Sequence, residues 1–434
     1  MQTLFCITNI CCALIKKCVG IYNTKTTIIQ VCNQISKINI FYVKVLQWFT
    51  FDITDDPQTN KELYAFFSSF TNKVPYKDCD INYKSLENLI IDVKKDGHEI
   101  DIDFKPINSG TVALVFKGYL DSRPIVIKVL RNKIHESIHN VYNQLLVLKN
   151  MIKWIKNIFN LSSINDDMFS FLLNYCKNDL SLQTDFLKEA THIEKFKTVY
   201  DSCKFIEIPQ VYIKYTLKNS DVIVMDYLEG CSLEENTIKE NEIYLDIIHK
   251  FIISCYFIHN IYHGDLHLGN IIFMKNKKKD KDKENAHYDY EYKLGIIDFG
   301  LMGELNHVLE QNLVYDLLLS YSSNDGNEIM QIILRYLETI NNKKNDTIND
   351  STKDPEIIKL MKLFSNTESG HPISVYEIQT FLRTCEKYKL DIPNDVSMFL
   401  LASAAQSGSI NKINELAGNV NLRVIIKNIT DNFI

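Results

Sequence analysis

Asp265, Asn270 and Asp298 are the residues whose types and spacing most plainly suit a reaction. They stand in His263-Gly264-Asp265-Leu266-His267-Leu268-Gly269-Asn270 and in Ile296-Ile297-Asp298-Phe299-Gly300. Two carboxylates and one amide in this order suit transfer of a phosphoryl group. Such a group carries dispersed negative charge, so a protein must hold metal ions on it and orient an acceptor. In this reading Asp265 faces the acceptor hydroxyl, while Asn270 and Asp298 hold Mg²⁺ on the phosphates of ATP. A lone Asp-Phe-Gly often closes an ordinary turn. The two motifs in this order, each beside an apolar strand, are far more specific.

The elements that must position these groups read as follows. Thr111 to Lys117 and Pro124 to Leu130 are rich in β-branched residues and predict an antiparallel hairpin joined by Gly118 to Arg123. Its first strand follows the small polar turn Asn108-Ser109-Gly110-Thr111, and its second carries Lys128. Ile134, Ile138, Val141, Leu145, Leu148, Ile152, Ile155 and Phe159 form one apolar stripe, so a long packing helix follows. A second helix is expected over roughly Thr184 to Tyr200 and contains Glu189. Strands are expected at Gln210 to Tyr215 and Val222 to Tyr227. Ile243 to His259 reads as a helix leading into the His263 loop. The charged run between Met274 and Tyr288 reads as a solvated hairpin tip. Beyond Gly300 the chain reads mostly helical, with a polar loop from Asn341 to Asp354.

A strand lysine paired with a helix glutamate is the arrangement that grips the α- and β-phosphates of a nucleotide, and backbone amides after Gly110 would cover those phosphates. His263 is expected to support the loop from within the core. His267 reads equally as a phosphate contact or as a structural residue.

The whole chain sets bounds on these readings. With 434 residues, 46% hydrophobic and 24% charged, it is globular and large enough for two lobes or two to three domains. A net charge of −6 and the lack of a basic, aromatic-rich stretch give no sign of a nucleic-acid partner. Eleven scattered cysteines without a Cys-x-x-Cys pair suit reduced thiols and an intracellular site, cytoplasmic or organellar. The longest apolar run, Leu4 to Ile15, is too short to cross a bilayer. No acidic residue precedes Asp52, and this acid-poor start reads as an organellar leader, mitochondrial for example, or as a flexible tail.

The chain resembles the UbiB/ADCK (aarF-domain) family of atypical kinase-like proteins from about Ile38 to its last helices. The resemblance rests on Val126-Ile127-Lys128-Val129, Lys188-Glu189-Ala190, Met225-Asp226-Tyr227-Leu228-Glu229-Gly230, His263-Gly264-Asp265 through Asn270, Asp298-Phe299-Gly300, the Val74-Pro75 pair and the long helix after Lys128. It implies an α+β, bilobal protein-kinase-like fold, with a small β-rich N-lobe, family-type helical inserts and a mostly helical C-lobe. Residues 1–37 would be a leader or flexible segment, 38–103 a helical extension, 104–227 the N-lobe and 228–434 the C-lobe. The cofactors implied are ATP and Mg²⁺, and the partners a lipid or quinone-related acceptor and a membrane surface touched peripherally. The implied nucleotide contacts are Ile107, Asn108, Ser109, Gly110, Thr111, Val112, Ala113, Leu114 and Val115, with Lys128, Glu189, Met225 and Tyr227.

Departures from the family pattern are also visible. Its Lys-x-Gly-Gln is here Lys44-Val45-Leu46-Gln47, and its Glu-x-Asp is Gln183-Thr184-Asp185. The first change replaces a glycine, and the second removes a carboxylate that would partner Lys44. His192 and Leu268 stand where the family has asparagine and proline. Two other readings compete: a small-molecule phosphotransferase of the aminoglycoside/choline kinase type, whose catalytic loop has the same pattern, and a nucleotide-gated scaffold without catalysis.

Overall fold

The computed structural model describes residues 19–38, 74–159, 182–231, 233–277, 290–305 and 394–421, with single positions elsewhere. These fall into two compact units, residues 1–191 with 210–227, and residues 192–209 with 228–434. The sequence-derived Lys44 to Gln47 segment, the tip of the charged insert and the Asn341 to Asp354 loop lie outside the described residues. Among the described residues no helix is long and apolar enough to cross a membrane.

In the first unit, helix α1 (Thr24–Ile38) lies largely within the stretch read as a leader and is capped by Asn23, whose Oδ1 accepts from the Thr26 amide at 2.8 Å. Helix α2 (Tyr83–Lys95) follows a single 3₁₀ turn at Asp78–Asp80. A five-stranded antiparallel sheet comes next, with β1 (Ile100–Ile102), β2 (Asn108–Ser109), β3 (Ala113–Leu120), β4 (Arg123–Leu130) and, much later in the chain, β6 (Val222–Asp226). The spatial order is β1-β3-β4-β6, with β2 also on β3. The sheet therefore opens before Phe104, where the sequence marks the lobe's start.

Strand periodicity gives the sheet two faces. Leu114, Phe116, Leu120, Ile125, Ile127, Val129, Val222 and Val224 all enter one buried cluster with Leu86, Leu89 and Val93 of α2. The opposite face carries Ala113, Val115, Lys128 and Met225, because Val115 pairs with Lys128 and Val126 with Met225.

Two local readings need correction. The hairpin loop is not Gly118 to Arg123: the strands run on, and only Asp121 (φ 47°) and Ser122 (φ 67°) turn. Two successive left-handed residues match the right-handed twist of a hairpin. Gly118 is a strand residue because a Cβ there would sit 2.5 Å from the Asp101 carbonyl oxygen of β1. Nor is Gln210 to Tyr215 a strand. Val211 makes one bridge to Met225, and helix α5 (Ile213–Lys218) follows. Lys214 and Lys218, one helical turn apart, reach the same Asp96 carboxylate at 3.5 and 2.6 Å, a convergence that helical spacing permits.

The long helix forms as expected, α3 (Ile134–Phe159), with Ile134, Ile138, Val141 and Leu145 buried. Helix α4 (Phe186–Tyr200) begins slightly later than predicted because Asp185 caps it, its Oδ1 accepting from the Lys188 amide at 3.0 Å.

The second unit contains a three-stranded sheet in which β5 (Ile206–Glu207) runs parallel to β9 (Tyr290–Ile296), itself antiparallel to β8 (Ile271–Lys277). The arms of the charged insert are thus a hairpin. A separate ribbon pairs β7 (Ile261–His263) with β10 (Met302–Glu304), a strand in a region read as helical. Helix α6 (Ile238–Phe257) starts before Ile243, at a reciprocal cap in which Thr237 Oγ1 accepts from the Glu240 amide and the Thr237 amide donates to Glu240 Oε2. Helix α7 (Asn394–Leu416) follows much later in the chain.

Because Gly118 faces a neighbouring backbone, Gly118→Ala should force β1 and β3 apart and lower stability by about 1–3 kcal/mol. Tyr119→Ala, at an exposed neighbour, should stay within roughly 0.5 kcal/mol of wild type. Urea unfolding of both variants checks this, and equal losses would refute the close-approach argument.

Candidate active site

In the first unit Lys128 comes from β4 and Glu189 from the first turn of α4. The ammonium donates to Glu189 Oε1 at 2.7 Å and to Oε2 at 3.0 Å, and lies 5.4 Å from the centroid of the Phe186 ring. The side chains are 10% and 1% exposed, so each charge needs its partner. Ala113, Val115 and Met225 share the Lys128 face. Tyr227 lies beside Lys117 of that face, whose ammonium is 4.3 Å from its ring centroid. Leu114 does not belong there. Its side chain points into the core cluster because strand alternation puts it opposite its neighbours.

The turn before β3 is held from behind by Arg131, which the sequence reading missed. Its guanidinium donates to the Gly110 carbonyl from Nε (3.1 Å) and Nη2 (2.9 Å), to Ser109 Oγ (2.8 Å), to the Pro75 carbonyl (3.4 Å) and to Asp80 Oδ2 (3.1 Å). Burial pushes its pKa down and Asp80 opposes that shift. The Ser109 hydroxyl is therefore committed to the protein. The Gly110 carbonyl faces the guanidinium, and a trans peptide sets the next N–H on the opposite side, so the Thr111 amide points away from Arg131. Val74 joins the same clasp, its amide donating to the Ser109 carbonyl at 2.9 Å. Ile107 and Asn108 are exposed, with the Ile107 amide on the Val115 carbonyl at 2.8 Å, and Val112 is buried.

In the second unit the loop after β7 carries Asp265, and a 3₁₀ turn at Leu268–Asn270 presents Asn270. The Asn270 amide nitrogen donates to the Asp265 carbonyl at 2.8 Å, leaving its Oδ1 with no donor among the described residues. Asp298 Oδ1 accepts from the Gly300 amide at 3.0 Å. A carboxylate and an amide oxygen are the hard donors that Mg²⁺ takes beside phosphate oxygens, so the residues fit that ion.

His263, only 1% exposed, ties these loops together. Its Nδ1 accepts from the Asp265 amide at 3.2 Å, so Nε2 carries the proton donated to the Asp298 carbonyl at 2.6 Å. Burial presses its pKa down, against the attraction of Asp298 and Asp265. Gly264 lies against Leu301: its amide donates to the Leu301 carbonyl at 2.7 Å, and a Cβ would meet the Leu301 side chain at 2.8 Å. His267 accepts from the Gly269 amide through Nδ1, at 3.1 Å, and its Nε2 is 3.8 Å from Asp265 Oδ2. His192, which begins the second unit's share of α4, sits with Nδ1 3.0 Å from the Phe299 carbonyl.

Comparison with known proteins assigns the chain to a family. Residues 95–333 match the ABC1 atypical kinase-like domain, and the chain belongs to that family. It is 27% identical over 193 residues to AarF domain-containing protein kinase 1 of Xenopus tropicalis, covering 43% of this chain and 35% of that protein. It is 25% identical over 233 residues to the probable serine/threonine-protein kinase abkB of Dictyostelium discoideum, covering 50% of this chain and 32% of the other. The chain thus spans about a third of the length of these relatives. Among solved structures it is similar to an Rv3197–erythromycin complex from Mycobacterium tuberculosis, with 16% identity, coverage of 72% and 76%, and a TM-score of 0.43. The family resemblance read from the motifs is borne out, as is an α+β kinase-like fold.

Breaking the buried pair from one side should be costly. Glu189→Ala should lose about 3–5 kcal/mol by taking the carboxylate away from a buried ammonium, whereas the double change Lys128→Met with Glu189→Leu should recover most of that. Denaturant melts of the three proteins decide it, and a double variant no more stable than Glu189→Ala would contradict the desolvation argument.

Proposed function

We propose that the protein is an ATP- and Mg²⁺-dependent atypical kinase or ATPase whose acceptor is a lipid or quinone-related small molecule met at a membrane surface. The observation that carries the catalytic part is the mutual fixing of Asp265, Asn270 and Asp298 through His263 and the Asp265 carbonyl. Membership of a kinase-like family and kinase-named relatives support it. The acceptor class rests on the family resemblance alone.

In this reading Lys128, held straight by Glu189, binds the nucleotide's α- and β-phosphates, and the Thr111 amide is turned toward them. Asn270 and Asp298 hold Mg²⁺, which when bound neutralises charge on the phosphates. Asp265 orients the acceptor hydroxyl, or a water in an ATPase, and takes its proton. Its carboxylate is free to do so because its loop is held through main-chain atoms. The side chain is 37% exposed, with the His267 imidazole beside it.

Two substitutions separate the roles. Asp298→Asn should remove the Mg²⁺-dependent part of the thermal stabilisation by ATP. Asp265→Asn should keep ATP affinity within a few-fold and cut turnover by roughly 10²–10⁴. The measurements are thermal shift and phosphate release, with and without vesicles containing a quinone analogue. Unchanged Mg²⁺·ATP stabilisation in Asp298→Asn would remove the metal assignment. Wild-type protein that binds Mg²⁺·ATP but never turns it over would favour the nucleotide-gated scaffold.

A further inference from the structure

Helix α7 lies beyond the family-matched residues 95–333, yet it supplies two buried polar side chains to the Asp265 loop. Gln406 Nε2 donates to the His263 carbonyl at 2.7 Å, and Ser409 Oγ donates to the Leu266 carbonyl at 3.2 Å. The two donors are three residues apart and so share a helix face. Their acceptors flank Gly264-Asp265 on both sides. The side chains are enclosed: Gln406 is 3% exposed and Ser409 6%.

The amide's orientation is chemically determined. The Tyr256 hydroxyl of α6 donates to Gln406 Oε1 at 2.7 Å. The His263 carbonyl can only accept, so the amide must present its nitrogen there. Burial raises the Tyr256 pKa well above its ordinary value, so the phenol stays a donor. Phe399 of α7 packs on Tyr256 and Tyr262 with ring centroids 5.2 and 5.8 Å apart, which keeps the helix seated beside β7.

We infer that Gln406 and Ser409 are positioning residues for Asp265, making helix α7 an integral part of the catalytic apparatus. The inference rests on the phosphoryl-transfer reading above, in which Asp265 faces the acceptor. Neither side chain acts on substrate. Each pins a main-chain carbonyl on one side of the loop, and together they remove the rocking motion that would swing the carboxylate off its acceptor. Displacement of a reacting group by about 1 Å costs on the order of 10²-fold in rate. Nucleotide affinity, which depends on Lys128, Asn270 and Asp298, should be spared.

The test uses the full chain with Gln406→Glu, Gln406→Leu, Ser409→Ala and Ser409→Thr. Gln406→Glu keeps the shape but loses the donor, and Ser409→Thr keeps the hydroxyl. Steady-state kinetics give kcat and KM for Mg²⁺·ATP, and hydrogen exchange reads the amides of residues 263–270. For Gln406→Glu, Gln406→Leu and Ser409→Ala, kcat should fall roughly 10–100-fold with KM within about twofold, and exchange should rise at the loop. Ser409→Thr should restore kcat. Wild-type kcat and unchanged loop exchange in a folded Ser409→Ala or Gln406→Glu variant would overturn the inference. So would a rise in KM that accounts for the whole loss. If Gln406→Leu fails to fold, the serine pair still decides. Wild-type protein without turnover would instead remove the phosphoryl-transfer reading, and the catalytic part of this inference with it.

Discussion

A neutral imidazole is the constraint on which the arrangement of the second unit's loops depends. His263 has one ring nitrogen that must accept, from the Asp265 amide, and one that must donate, to the Asp298 carbonyl. Only the neutral ring with its proton on Nε2 can do both; an imidazolium would face one N–H with another. Burial enforces the choice, since a charge there would lack solvent. The consequence is geometric. The Asp265 loop and the Asp298 loop, separated in sequence by the β8–β9 hairpin, keep one register. Phe299 seals the arrangement, fully buried, its ring centroid 4.9 Å from that of Phe196 and 5.7 Å from that of His263.

The first unit solves a different problem with two buried cations. Lys128 is a buried ammonium, and Glu189 makes that charge tolerable. Arg131 turns its guanidinium on the protein itself. It consumes the acceptors of Ser109, Gly110, Pro75 and Asp80, so a turn rich in small residues takes one shape. Small residues give such a turn its close backbone approach but not its rigidity, which comes from the guanidinium's fixed fork. The sheet keeps these tasks apart, with its core on one face and Lys128 on the other.

What was legible in the sequence follows from what chemistry restricts. Asp265, Asn270, Asp298, Lys128 and Glu189 could be singled out because they stand in short motifs of restricted order, and the structure pairs Lys128 with Glu189 and gathers the other three around His263. The apolar stripe of α3 could be read because burial demands it. Gln406 and Ser409 could not, because each acts on a main-chain carbonyl, which any residue presents; Arg131 could not, because its side-chain partners Asp80 and Ser109 lie 51 and 22 positions away and its other acceptors are carbonyls. Gly118 was read as a turn because glycine serves turns and close strand approach alike, and only the neighbouring β1 backbone tells them apart. Gln210 to Tyr215 looked strand-like because its aromatic and β-branched residues suit either state, and its helix is tied down by the distant Asp96. The early start of α6 was legible, in Thr237-Ile238-Lys239-Glu240, as a reciprocal cap.

The most direct measurement is the protonation state of His263. In histidine ¹⁵N-labelled protein, long-range ¹H–¹⁵N correlation spectra distinguish the two neutral tautomers from the imidazolium. A signal that disappears in His263→Asn should report a neutral ring protonated at Nε2, and should remain so as the pH is lowered past about 6.5, where an unperturbed histidine takes up its proton. A ring protonated at Nδ1, or one that titrates as a free histidine does, would contradict the account, because neither could hold Asp265 and Asp298 in one register.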